Sequence, residues 1–130
     1  MHALKYSIDM AFESNKEIIL MDSYHYKYIA TELALNANPG LVKNVEKSFP
    51  VPDLVIELVL PMEEITERKN KFSRYECGLS VIANKESFKT FQKQVIKEWQ
   101  NFKIKNHYQL DASKSEDKLV SEAAQLIKDL

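Results

Sequence analysis

Val51-Pro52-Asp53-Leu54-Val55-Ile56-Glu57-Leu58-Val59-Leu60-Pro61 decides how this chain is read. Pro50 and Pro52 bracket Val51; a proline has no N–H and disfavours helix in the residue before it, so whatever precedes them ends there. Residues 54–59 then form an apolar run, rich in β-branched side chains and interrupted by Glu57, which predicts a strand. Pro61 stands where a missing N–H is harmless, at the opening of a helix over residues 62–68. A strand delivered straight into a helix is the unit from which α/β sheets are built.

Working outward, the same pattern repeats. Ile18-Ile19-Leu20-Met21 is a short continuous apolar run, the signature of a strand buried on both faces and hence of a parallel sheet. Residues 107–110 predict a third, short strand. Leu4, Ile8 and Phe12 recur every four positions and predict an amphipathic helix over residues 3–12, with Tyr6 and Met10 on another face. Residues 26–37 read as a helix closed by Asn38-Pro39-Gly40, and residues 41–49 as another. The longest helix is expected over residues 85–102, where Phe88, Phe91, Val95, Trp99 and Phe102 form one core stripe. Ser115 reads as the N-cap of a closing helix whose buried face is Leu119, Ala123, Leu126, Ile127 and Leu130. The class is α/β, a partial parallel sheet of about three strands flanked by helices.

Composition narrows the function classes. With 130 residues the chain is expected to form a single domain, 1–130. A formal net charge of -1 argues against a dedicated nucleic-acid binder, which needs a basic patch. Cys77 is the only cysteine, so an internal disulfide is excluded and a reducing, cytoplasmic setting is expected. Lys5 and Asp9 interrupt the start where a signal peptide would be apolar, and residues 54–60 are too short to span a bilayer, so no membrane partner is expected.

Three segments carry candidate chemistry. Asp22 follows a predicted strand, and ligands of open α/β sheets bind at the carboxyl ends of strands; a carboxylate there either organises Mg2+ or an acceptor phosphate, or simply caps the next helix. Arg68, Lys69, Lys71 and Arg74 crowd an aperiodic stretch, residues 69–78, that reads as a mobile loop able to close on a polyphosphate; the alternative is a solvated charge run. Asp111-Ala112-Ser113-Lys114-Ser115 follows the last strand and either frames a flat base or caps a helix. His2, His25 and His107 have no spacing suited to a metal, and no Ser-His-Asp or Cys-His arrangement is present.

Taken in order, these segments resemble the thymidylate kinase family along nearly the whole chain. Tyr6-Ser7-Ile8-Asp9-Met10 is similar to the family's Phe-x-x-Asp/Asn-Arg, and Asp22-Ser23-Tyr24 to its Asp-Arg-Tyr. Val51 to Ile56 is similar to the strand that opens on Pro-Asp, Ser73-Arg74-Tyr75-Glu76 to the lid's Arg-Tyr-Glu, and Leu110 to Ser115 to the adenine-side loop. The resemblance implies a P-loop-kinase-type sheet, a mobile lid over about residues 69–80, and transfer of ATP's γ-phosphoryl group to a nucleoside monophosphate with Mg2+. It implies catalytic roles for Asp22, Arg68 and Arg74. Asp111, Ala112 and Ser113 would border the adenine, and Tyr6, Met10, Tyr24 and Tyr75 would meet the acceptor.

The chain departs from the family pattern at three places. Met10 stands where the family's arginine reads the thymine edge, and a thioether donates no hydrogen bond. Ser23 replaces the arginine of Asp-Arg-Tyr and removes a fixed charge. Gly40 and Gly78 are the only glycines, so these 130 residues hold no Gly-x-x-x-x-Gly-Lys-Ser/Thr phosphate loop. In the family's five-stranded sheet the strand bearing that loop lies between those expected at residues 18–21 and 54–59, which leaves two edges unpaired. A second chain supplying strand and loop, re-pairing in a homo-oligomer, and a truncated product are the resolutions; a non-catalytic nucleotide- or partner-binding remnant is the alternative function.

Overall fold

The structure, a computed structural model, describes residues 2–130. Six helices and two paired strands follow in the order α1 (His2–Glu13), α2 (His25–Ala34), α3 (Pro39–Glu46), β1 (Val55–Val59), α4 (Met62–Arg68), a 3-10 turn (Tyr75–Cys77), α5 (Lys85–Trp99), β2 (His107–Asp111) and α6 (Glu116–Lys128). The chain is α/β, and its strands are parallel: Val55 lies opposite His107 and Val59 opposite Asp111. Packing groups the residues into two compact units. One holds the chain up to Pro50 with Phe91–Phe102, the other Val51–Thr90 with Lys103–Leu130.

In the first unit the core is built by α2 and α3. Ile29 and Ala30 on α2 are buried with Ile8, Val42, Phe49 and Phe91. α2 ends at Ala34, earlier than its periodicity suggests, because Asn36 takes a left-handed conformation (φ 63°) that a helix cannot continue through. Asn38-Pro39-Gly40 does more than end α2. The Asn38 side chain accepts from the N–H groups of Gly40 and Leu41, and Pro39 occupies the first turn, so the triplet starts α3.

The run at residues 18–21, expected as a third strand, makes no ladder with any described strand. Ile18 and Leu20 are 59% and 78% exposed. An apolar run specifies a wish for burial, but a strand exists only through a partner's N–H and C=O groups.

In the second unit β1 and β2 form a two-stranded sheet, with α4 beginning after Pro61 as the sequence suggests. α6 starts at Glu116 with Ser115 in the extended N-cap conformation. Its expected buried face is only half-buried: Leu119, Ala123, Leu126 and Ile127 are partly covered, and Leu130 is exposed. Two parallel strands offer too little surface to bury a helix face completely. α5 serves both units: Phe88 is buried in the second, Phe91 is buried and Val95 and Trp99 are partly covered in the first, and Phe102, expected within the helix, lies beyond its end at Trp99 and is partly covered. No helix of the described residues is long and apolar enough to cross a membrane.

Candidate functional site

Within the first unit, α1 places Tyr6 and Met10 one turn apart on an exposed face, Tyr6 being 68% accessible. Asp22 is exposed, follows the unpaired run, and precedes Ser23, whose left-handed backbone (φ 55°) turns the chain toward α2. The Ser23 hydroxyl donates to the Asp22 carboxylate at 3.3 Å. The N-cap of α2 is Tyr24, with no side-chain cap, so Asp22 is not the capping residue of that helix. Tyr24 spends its hydroxyl on the Pro50 carbonyl at 2.7 Å. Burial pushes its phenol up, and the neighbouring Tyr26 adds to the effect.

His25 was not singled out as a site residue from sequence, yet it is among the most buried side chains of the first unit. Its ring stacks on Phe49 with centroids 4.8 Å apart and touches Tyr24 and Tyr26. Nδ1 is buried without a hydrogen-bond partner, and desolvation lowers the imidazole from 6.5 to about 4.

In the second unit, Arg68 closes α4, exposed, with Glu64 at 3.9 Å one turn back. The following basic stretch, expected to be aperiodic, contains the 3-10 turn Tyr75–Cys77 and is tied at several points. Glu76 accepts from Lys69 Nζ at 2.7 Å and from the Ser73 hydroxyl and N–H at 2.7 and 3.0 Å. Those bonds, led by Lys69, hold the Glu76 carboxyl down at about 2. Arg74 donates from Nε to the Ser80 carbonyl and from Nη2 to the Leu79 carbonyl, both at 3.3 Å. Tyr75 beside it is 44% exposed.

The Asp111–Ser113 turn lies at the carboxyl end of β2, where α/β sheets bind ligands. Asp111 Oδ1 accepts from the Ser113 N–H at 2.9 Å and hydroxyl at 2.7 Å, which lower its pKa, and the Ala112 N–H donates to the Val59 carbonyl. This local closure fixes a turn with small side chains on an open surface. Lys114 reaches back to Glu122 of α6 at 2.8 Å.

A polar group on the sheet went unassigned in the sequence. Glu57 accepts from Gln109 Nε2 and lies 2.9 Å from His107 Nε2. The signal was a lone Glu57 in an apolar run and the alternating His107 and Gln109 fifty residues on, but only the register puts them side by side.

Among the described residues no group of three or more His, Cys, Asp or Glu side chains could hold a metal by itself. Mg2+ in phosphoryl transfer needs only one or two carboxylates beside the substrate's own phosphates, which the exposed Asp22 fits. Tyr6, Met10, Asp22 and Tyr24 belong to the first unit; Arg68, Arg74, Tyr75, Asp111, Ala112 and Ser113 belong to the second.

No protein-family model matches the chain. It is 32% identical over 114 residues to a probable thymidylate kinase 1 of Saccharolobus solfataricus, covering 86% of this chain and 55% of that protein. It is also 32% identical over 124 residues to a probable thymidylate kinase of Sulfolobus acidocaldarius, covering 94% and 60%. A thymidylate kinase of Leptospira interrogans is 24% identical over 126 residues, 95% of this chain and 58% of the relative. The chain thus spans somewhat more than half the length of the curated relatives it matches. With the ordered motifs and the parallel α/β frame that carries them, the chain is thymidylate kinase-like in sequence over nearly its whole length.

Proposed function

We propose that this chain supplies the acceptor-side, lid and adenine-side elements of a thymidylate kinase-like phosphotransferase, working in the cytoplasm with polypeptide that carries the phosphate loop. The observation behind the proposal is the 32% identity along 86–94% of the chain. In the reaction an acceptor phosphate oxygen attacks the γ-phosphorus of ATP in line, the bond from that phosphorus to the β,γ-bridging oxygen breaks, and ADP leaves with the electron pair. Bound Mg2+ would neutralise charge on the β- and γ-oxygens.

Each residue's role follows from its chemistry. Tyr6 offers an exposed ring on which a base can stack, with Met10 one turn along the same helix, and the family resemblance assigns Tyr24 and Tyr75 to the acceptor as well. Asp22 organises metal or acceptor, and Arg68 and Arg74 neutralise charge on the transferred group. The closed Asp111-Ala112-Ser113 turn borders the adenine without a bulky side chain in its way.

The sheet supports the need for a partner. In the parallel register the Val55 N–H and the Val59 carbonyl face β2, so the backbone groups of Ile56 and Leu58 point to the other edge. Leu58 is 60% exposed. A strand from the loop-bearing polypeptide, or from a second copy of this chain, would pair with that edge.

The test is phosphoryl transfer from ATP to thymidine monophosphate, with and without a polypeptide carrying the phosphate loop. Transfer is expected only with it, and Arg74→Ala is expected to lower the rate about 10³–10⁵-fold. No transfer in either case, with Arg74→Ala leaving nucleotide affinity unchanged, defeats the proposal. Met10 and Ser23, which replace two cationic groups, favour a second reading as a nucleotide-binding remnant. Calorimetric binding of the monophosphate without transfer or ATP affinity would select it.

A further inference from the structure

The segment after the 3-10 turn is held in a conformation its residues do not favour. Gly78 and Leu79 are both left-handed, with φ 68° and 61°. Glycine adopts this freely; a leucine does so against the clash of its Cβ with the backbone. Leu79 is also 54% exposed, and Val81 and Ile82 behind it are 91% and 66% exposed, so burial of these side chains does not explain the turn.

Hydrogen bonds hold it instead: Gly78 N–H donates to the Tyr75 carbonyl and Ser80 N–H to the Cys77 carbonyl, and Arg74 supplies three more. The Arg74 carbonyl accepts from the Leu79 N–H at 2.7 Å, while its guanidinium donates to the carbonyls of Leu79 and Ser80. Arg74 thus grips residues 79–80 by both backbone and side chain. The guanidinium bonds are long, at 3.3 Å, and end on neutral oxygens. A phosphate oxygen makes a shorter, charge-assisted and stronger bond with the same fork.

We propose that Arg74 is a latch: with no anion bound it clamps the left-handed Gly78–Leu79 turn, and a polyphosphate that takes its guanidinium releases the turn and the apolar stretch behind it. The idea deepens the phosphate role given to Arg74 above and rests on it for the identity of the anion. Because one guanidinium serves two partners, the two states are linked. Whatever steadies the clamped turn weakens anion binding, and bound anion loosens the turn.

Amide hydrogen exchange at Leu79 and Ser80, with tripolyphosphate as the probe, reads the latch without any phosphoryl transfer. Arg74→Gln is expected to speed exchange of both amides about tenfold in the absence of anion, the effect of losing a bond or two of ordinary strength. Tripolyphosphate is expected to speed the same amides in the natural chain and to add nothing in Arg74→Gln. Leu79→Gly removes the side chain that opposes the left-handed turn, so it is expected to slow exchange and weaken tripolyphosphate binding about three- to fivefold. Unchanged or slower exchange in Arg74→Gln overturns the latch, as does tripolyphosphate that leaves these amides unchanged or slows them. Equal or tighter binding by Leu79→Gly overturns it too. Loss of phosphoryl transfer alone would count against the enzymatic reading and not against this one.

Discussion

The ring cluster around His25 and the polar loop after α4 are held by opposite means. In the first, His25 lies against Phe49, Tyr24 and Tyr26, and Tyr26 in turn meets Phe102 at 5.4 Å. Desolvation is the bond there, and an unpartnered Nδ1 is its cost. In the second, Glu76 collects three polar bonds from Lys69 and Ser73 at a half-exposed position. A region held by dry rings should fail when volume is removed or a buried group is charged. One held by charge-assisted bonds should fail when a charge is neutralised or screened.

Phe49→Ala should have the largest effect, because it leaves a hole beside the stacked imidazole and the Tyr24 ring. Deleting a buried phenyl costs about 3–5 kcal/mol. Chemical denaturation followed by near-ultraviolet circular dichroism should show that loss in the first unit. A cost under about 1 kcal/mol would mean the cluster is not a packed core and would break the comparison.

Acid comes next. Unfolded, His25 titrates near 6.5; folded, near 4, so the unfolded state binds more protons between these values. The neutral-ring contribution is complete above 6.5, falls as pH drops toward 4, and is gone below it. The gap corresponds to about 3 kcal/mol. His25→Phe should flatten the stability profile of the first unit over that window. A profile as steep as before would place the proton uptake on another group.

The loop answers to pH in a lower window. Glu76 is depressed from 4.5 to about 2, so its contribution is complete above 4.5 and disappears as pH falls toward 2. Glu76→Gln keeps the shape and removes the charge; since the carboxylate is 37% exposed, solvent screening limits the loss to about 1 kcal/mol. Amide exchange at Ser73 is the readout, and 0.5 M salt should reproduce about half of the effect in the natural chain. Exchange indifferent to both would mean that the 3-10 turn holds itself.

How much of this was legible in the sequence depended on how far apart the interacting residues lie. Pro61 sets the start of α4, and the Phe88–Phe91 spacing sets the face of α5, because both act within a turn or two. Residues 18–21 predict a strand that does not form, because their apolar character says nothing of who pairs with them. Glu57 looked like a flaw in a strand until the register set it beside His107 and Gln109. Of the candidate site, the types and order of residues were visible. What Arg74 and Tyr24 hold was not, since both grip main-chain carbonyls, which no residue pattern announces.

The smallest effect sharpens the contrast most. Lys5 and Asp9 on α1 approach at 2.6 Å, as closely as Lys69 and Glu76 at 2.7 Å, so distance alone would rank them equal. Asp9 is 54% exposed, and Lys5 lies one turn back, in the less favourable order along the helix. Glu76 has two further donors from Ser73 on the same carboxylate. Asp9→Asn should therefore cost only about 0.3 kcal/mol, and less in salt, when thermal stability is compared with Glu76→Gln. Equal losses from the two substitutions would show that the additional Ser73 donors contribute nothing, and that the loop after α4 is held by an ordinary surface ion pair.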